Sequence, residues 1–301
     1  MLTPGPVSDA GWNALAYDGL MKIRDTLQAE VSQVETKTPA EFEEAFRDYA
    51  SRGFQLVFGH GFEFQDAAAR VGADFPHTVF ITTSGSTVRD NVAPMRFLLE
   101  QATYLMGMMS AMLSQTGKAG AIGGIEIPPL KSTFMAFTAG AKSVKPDFQV
   151  TVSYIGNWED VGAAKQAALA LIEQGCDILI PNADAASLGV FQAAQEKHVM
   201  ALGTNKNQNS IAPDAIVASG VIDIPTAFLQ VAQEVQKGTF YGRIISLGMK
   251  QAVITLVYNP AWQDRLPPEV QMRVTLAKQQ IVAGTLTVPS VEFTPVQPKA
   301  P

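Results

Sequence analysis

Histidine and cysteine are scarce in this 301-residue chain: there is one cysteine, Cys176, and three histidines, His60, His77 and His198. A single cysteine rules out an intrachain disulfide, and in the apolar surroundings of residues 175–180 it reads as a small buried hydrophobe. The histidines stand apart from one another, with no His-x-x-x-His, no Cys-x-x-Cys and no acidic loop of ligand spacing. No metal site and no resident cofactor is therefore expected. Long apolar runs are missing too. Stretches such as 167–172 and 178–181 fall far short of the roughly 20 residues that cross a bilayer. The net charge is −6 and no Lys/Arg cluster interleaved with aromatics offsets it, which excludes nucleic acid as an expected partner. A Gly-x-Ser-x-Gly nucleophile elbow is absent, and Ser84-Gly85-Ser86 reads as a plain turn. Gly120-Ala121-Ile122-Gly123-Gly124 does not match the dinucleotide fingerprint. The chain is not expected to be an enzyme.

What is abundant is core-forming material. With 47% hydrophobic and 17% charged residues the chain can fill two ordinary cores, and two domains are expected at this length. Its recurring unit is a helical stretch ending at Gly, followed by a short apolar run that stops at polar or Gly-rich residues. Ser51-Arg52-Gly53-Phe54 leading into Leu56-Val57-Phe58-Gly59-His60-Gly61 is one copy. Gln174-Gly175-Cys176-Asp177 leading into Ile178-Leu179-Ile180-Pro181-Asn182 is another. Gly suits the left-handed cap of the helix, and the continuous apolar run suits a strand buried on both faces. Further strands are expected over 78–82, 119–122, 150–155, 199–202, 215–218 and 251–257. Helices are expected over 12–29, 39–51, 95–114, 130–143, 161–174, 187–197 and 225–237. Strand alternating with helix predicts an α/β protein of two doubly wound, mostly parallel lobes.

The turn Gln115-Thr116-Gly117 places the expected lobe boundary. One lobe is predicted to hold 1–117 and 224–247, the other 118–223 and 248–288, with several crossings forming a hinge and 289–301 an irregular tail. Only Met1-Leu2-Thr3 precede Pro4, with no basic or apolar leader region, so a removed leader and a shortened first strand are expected.

Open α/β sheets hold ligands at the C-terminal ends of their strands. Those positions carry Asp9, Trp12 and Asn13 in the first loop, then Phe62, Trp158, Asn182, Asn205 and Asp223. Asp9 can equally cap the helix that follows it. Trp12 offers a flat face, and aromatic faces with Asn/Asp edges suit a neutral heterocycle having both donors and acceptors. These loops contain no Arg, and Lys206 is their only Lys, so an anionic ligand fits less well.

Several motifs in order, Asp9-x-Gly-Trp-Asn13, Ala16-Tyr17-Asp18-Gly19-Leu20, Gly59-x-Gly-Phe62, Thr116-Gly-Lys-x-Gly120, Gly123-Gly-x-x-Ile-Pro128, Phe137-x-x-Gly140, Asn157-Trp-x-Asp160 and Gly189-Val-Phe191, carry a resemblance that runs over nearly the whole chain. The sequence resembles the basic membrane protein family of ABC-transporter solute-binding lipoproteins, of purine nucleoside-binding and adenine-binding type. The resemblance implies a type I periplasmic-binding-protein fold, a purine-like ligand between the lobes and ABC permease subunits as partners. It further implies a periplasmic or extracellular location, with membrane contact only through a removed lipid anchor or the permease. By position it places Asp9, Trp12, Asn13, Tyr17 and Phe62 on the ligand from the first lobe, and Trp158, Asn182, Asn205 and Asp223 from the second lobe or hinge. Nucleoside-binding members carry an acidic residue and a lysine that grip ribose; here Gly203-Thr204-Asn205 and Val221-Ile222-Asp223 stand at those places. The implied ligand is a nucleobase such as adenine rather than a nucleoside. A ligand-sensing regulator of the same fold, or a nucleoside-processing enzyme, are the competing readings.

Overall fold

The computed structural model describes residues 1–9 and 11–291, so residues 292–301 of the expected tail lie outside the described residues. The chain begins with β1 (Leu2–Thr3), α1 (Trp12–Leu27), β2 (Val34–Glu35), α2 (Pro39–Ser51), β3 (Leu56–Gly59), α3 (Gln65–Asp74), β4 (Val79–Thr83) and β5 (Val92–Phe97). It continues through α4 (Glu100–Leu113), β6 (Lys118–Gly123), α5 (Pro128–Val144), β7 (Gln149–Tyr154), α6 (Val161–Glu173), β8 (Ile178–Asn182), α7 (Ser187–Lys197), β9 (Met200–Asn205) and β10 (Ile216–Ile222). It closes with α8 (Ile224–Gln236), β11 (Ile245–Leu247), β12 (Ile254–Tyr258) and α9 (Pro268–Ala283).

Two compact units result. The first comprises Met1–Phe97 and Asp223–Leu247, the second Leu98–Ile222 and Gly248–Val291. In the first, the sheet order is β11-β5-β4-β3-β1-β2, and every pairing is parallel. In the second the order is β12-β10-β9-β8-β6-β7, parallel except for β12, which runs antiparallel to β10. Leaving out the added edge strand, both follow the order 2-1-3-4-5. That order puts a topological switch point at β1/β3 in one unit and at β6/β8 in the other, and a ligand is expected just beyond the strand ends there.

Local chemistry explains the elements. Thr38 caps α2 in a reciprocal capping box with Glu41, and Pro39 occupies the first helical position, where a missing N–H costs nothing. Gly53 and Gly175 adopt φ of +85° and +92° after their helices, as the repeated helix–Gly–strand pattern predicts. Phe46, Phe64 and Phe80 are fully buried in the first core, and Phe191, Leu179 and Ile216 in the second. Each such side chain contributes roughly 1.5–3 kcal/mol by leaving water.

Three differences from the sequence reading have physical causes. The predicted helix over 95–114 begins only at Glu100, because residues 92–97 form β5, hydrogen-bonded between β4 and β11. The first unit ends at Phe97 rather than Gly117, since α4 packs along α5 with almost no side chain between them. A Cβ on Gly140 would sit 1.9 Å from the Tyr104 carbonyl oxygen, and one on Gly107 1.9 Å from that of Phe137. Asp223, expected to close the second lobe, opens the return segment of the first unit as the cap of α8. Helices α3 and α9 and the short strands β2 and β11 were not anticipated.

Candidate functional site

In the first unit the switch point is built by the loop after β1 and the loop after β3. Asp9 is buried, and its carboxylate accepts four hydrogen bonds. Oδ1 takes the N–H groups of Gly11 and Ala14, both at 2.9 Å; Oδ2 takes the backbone N–H of Asn13 at 2.8 Å and its Nδ2 at 3.0 Å. A carboxylate has about four lone-pair positions, so Asp9 is saturated by the first turn of α1. Asp9 thereby organises the helix start that carries Trp12 and Asn13, the capping role that the sequence offered beside a ligand contact. Replacing it with alanine is expected to strand those donors and destabilise the protein by about 1–3 kcal/mol, read from the urea midpoint. Asp9→Asn is expected to lose less.

Trp12, half-buried, lies against the ring of His60 with centroids 4.2 Å apart and planes 24° from parallel, and meets Phe97 edge-on at 6.0 Å. His60 is fully buried between β3 and the loop, and its Nε2 lies 3.0 Å from the Trp12 carbonyl oxygen. A carbonyl can only accept, so Nε2 carries the proton. Nδ1 is then the acceptor for the Thr83 hydroxyl, 3.1 Å away. Burial pushes the imidazole pKa down to about 3, and the bond to Trp12 opposes this only partly. The ring is neutral. Behind it, Phe228 meets His60 edge-on at 6.0 Å and stacks on Phe58 at 4.0 Å.

Asn13, 3% exposed, gives its amide N–H to Asp9, while its Oδ1 is buried without a hydrogen-bond partner. Tyr17 is half-buried one turn further along α1, and half-buried Phe62 opens the short 3-10 helix Phe62–Phe64 after β3. After β4, Ser84 and Gly85 take φ of +74° and +99°. Gln65 ties this turn down by accepting from the Ser86 N–H at 3.1 Å and the Thr87 hydroxyl at 3.3 Å, while the buried Ser86 hydroxyl has no partner.

In the second unit Trp158 rests on bare backbone. A Cβ on Gly124, just past β6, would lie 2.1 Å from Trp158 Cε3, so glycine there lets the indole settle beside the sheet edge. Asn157 shapes that loop through its Oδ1, which accepts from the N–H groups of Glu159 at 3.1 Å and Asp160 at 2.7 Å. Asn182 after β8 and Asn205 after β9 are both buried and joined: Asn205 Nδ2 donates to Asn182 Oδ1 at 3.2 Å. Asn205 adopts φ +68°, a conformation that Asn tolerates well among side-chain-bearing residues. That bond uses the Asn182 carbonyl and one Asn205 N–H, and leaves Asn182 Nδ2 as a donor and Asn205 Oδ1 as an acceptor outside the pair. Asp223 caps α8, accepting from the Thr226 N–H at 3.0 Å, which gives it a structural task as well.

The predicted residues thus gather at two sheet edges. Trp12, Asn13, Tyr17 and Phe62 belong to the edge of the first unit. Trp158, Asn182 and Asn205 belong to that of the second. The sequence reading missed His60 as the support of Trp12 and Gly124 as the seat of Trp158; the paired glycines at 59/61 and 123/124 were the available signal. Among the described residues no cluster of His, Cys, Asp or Glu could hold a metal, and no helix is long and apolar enough to cross a membrane.

Two mostly parallel sheets with switch-point loops of this kind define an α/β ligand-binding protein of the type I periplasmic-binding-protein fold. A solute-binding protein of an ABC transporter system from Aeropyrum pernix superposes with a TM-score of 0.87 at 22% identity, covering 96% of this chain and 92% of that one. The chain belongs to the Bmp family, ABC transporter substrate-binding proteins of PnrA-like type, whose profile matches residues 1–291. Among its relatives, a purine-binding protein of Brucella abortus is 28% identical over 288 residues, covering 94% of this chain and 80% of the relative. The transcriptional activator protein med of Bacillus subtilis is 28% identical over 243 residues, or 80% of this chain and 76% of that one. The family is one of substrate-binding proteins rather than enzymes, and its members take small molecules and serve membrane permeases. Substrate-binding proteins of ABC transporters work outside the cytoplasm.

Proposed function

We propose that this protein captures a purine-like compound for an ABC importer, and that it prefers a free nucleobase such as adenine to a nucleoside. The observation that carries this reading is the pairing of a flat face with an unsatisfied edge: Trp12, supported by a neutral buried His60, stands next in sequence to Asn13, whose buried Oδ1 lacks a donor. An orphaned buried acceptor is costly unless something supplies an N–H, and a purine presents N–H groups in the plane of a stackable ring. Trp158 supplies a second face, and the Asn182 and Asn205 amides supply edges that can donate or accept. The family resemblance adds Tyr17, Phe62 and Asp223 to the proposed set of ligand residues. The preference for a base rests on Asn205 and Asp223 standing where nucleoside-binding relatives carry the groups that grip ribose. The name of the Brucella relative supports the purine class. The protein is not an enzyme in this reading, and it works in the periplasm or outside the cell, tethered by lipid or held at its permease.

Calorimetry with adenine, guanine, hypoxanthine and adenosine tests the proposal. At least one base is expected to bind, and Trp12→Ala and Trp158→Ala are each expected to weaken it by about 1–3 kcal/mol, the worth of a stacked base. Tight adenosine binding with no response to any base would remove the nucleobase preference. Unchanged affinity in both variants would remove the site.

A second reading, a ligand-sensing regulator, is favoured by the likeness to the Bacillus activator. Fractionation of the native host separates the two: a transport component is recovered outside the cytoplasm, a sensor within it.

A further inference from the structure

We propose that His60 is the positioning residue of the ligand platform: hydrogen-bonded at both ring nitrogens, it fixes the Trp12 indole in the plane that receives a flat heteroaromatic ligand. This deepens the reading above and rests on it.

Each ring is held in place by its neighbours. Trp12 stands at the first position of α1, a place where helices fray and where an exposed indole has several rotamers open to it. Here it is restrained on three sides. Asp9 fixes the backbone on which it stands, through bonds to the N–H groups of Gly11, Asn13 and Ala14. Phe97 meets the indole edge-on at 6.0 Å. His60 covers one face at 4.2 Å and also bonds the Trp12 carbonyl, so that a single side chain restrains both the backbone and the ring of the same residue.

His60 in turn cannot rotate without losing contacts on every side. Its Nε2–H is committed to Trp12 O at 3.0 Å, and its Nδ1 accepts from Thr83 Oγ1 at 3.1 Å. Phe228 closes the space behind it at 6.0 Å and is itself stacked on Phe58. Thr83 is fully buried at the end of β4, so the imidazole is anchored to the sheet at Nδ1 while the Trp12 carbonyl sets its tautomer. A phenyl ring at position 60 would reproduce the stack but neither hydrogen bond. The imidazole thus carries rigidity from the sheet to the indole, and a binding face ordered beforehand does not lose side-chain entropy when the ligand arrives.

A double-mutant cycle read by calorimetry with adenine tests this, with the thermal midpoint and near-UV circular dichroism recorded for each variant. His60→Phe is expected to lower affinity by about tenfold in the wild-type background and to have almost no effect in the Trp12→Ala background, because a residue acting only through Trp12 has nothing left to position. Thr83→Val, close to isosteric, is expected to lower affinity by about threefold without changing the fold, since it removes the hydrogen bond that anchors the imidazole at Nδ1. Absence of binding by the wild-type protein, or unchanged affinity in both Trp12→Ala and Trp158→Ala, overturns the reading of the site and this inference with it; unchanged affinity in Trp12→Ala alone overturns the inference. A loss in Trp12→Ala accompanied by unchanged affinity in both His60→Phe and Thr83→Val overturns the inference alone. So does a His60→Phe effect that persists at full size without Trp12.

Discussion

Below about pH 6.5 the native protein is expected to lose stability more steeply than a His60→Phe variant. His60 has its pKa lowered from 6.5 to about 3 by burial, against a smaller opposing effect from its bond to Trp12. Between those two values the unfolded chain binds a proton at this residue that the folded protein does not. Acid therefore favours unfolding in that window. At higher pH the imidazole is neutral in both states and contributes no pH dependence. As pH falls through the window the contribution declines by up to about 1.4 kcal/mol per pH unit, and it levels off once the folded protein also protonates near the lower value. The carboxylates titrate in both proteins alike, so the difference between the two stability curves isolates the imidazole. Urea denaturation near pH 7 and near pH 4.5 is expected to show that difference shrinking by about 3 kcal/mol. Parallel curves would mean that His60 is already charged or solvated in the folded state. A falling gap, with Trp12 fluorescence shifting over the same range, would tie the acid transition to the platform.

The second large effect belongs to the α4–α5 contact. Gly140→Ala places a methyl group 1.9 Å from the Tyr104 carbonyl oxygen, and Gly107→Ala places one 1.9 Å from the carbonyl oxygen of Phe137. Neither obstacle is a side chain that can turn aside. Relief requires the two helices to part along their length, opening the packing around the buried Leu105, Phe134 and Phe137. Overpacking usually costs about 1–3 kcal/mol, and with backbone on the receiving side each substitution is expected at or above the top of that range. A drop of about 6–12 °C in the thermal midpoint follows for a unit of this size. The double variant is expected to cost less than the sum, because helices already separated by one methyl group accommodate the second more cheaply. Additive losses, or a midpoint unmoved in either single variant, would show that the helices adjust without parting.

The two effects separate what is local from what is not. Helix α2, with its capping box and its Gly53 terminus, was legible because each signal lies within a few residues of the element it defines. The strands β3, β6, β8 and β9 were legible for the same reason: a buried parallel strand is a short apolar run between breakers. Strand β5 was not. Val92-Ala93-Pro94-Met95-Arg96-Phe97 contains a proline and runs toward a helical stretch, and only its neighbours β4 and β11 make it a strand.

The same division runs through the site. The residue types at the strand ends, Trp and Asn with little positive charge, are written in the chain, and they point to a flat neutral ligand before any coordinate is known. Their roles are not written there. Asp9 is equally readable as ligand acceptor or helix cap, and only the folded structure shows the four hydrogen bonds by which it caps. His60 was a lone histidine until β1 and β3 lay side by side and set it against Trp12. The sequence by itself determined the alternation of strand and helix, the doubly wound class and the chemical character of the strand-end loops, because those depend on neighbours along the chain. Tertiary structure alone decided which unit owns α4, which backbone groups the Asp9 carboxylate holds and which ring lies against Trp12. Those questions turn on groups tens of residues apart, brought together only when the cores close.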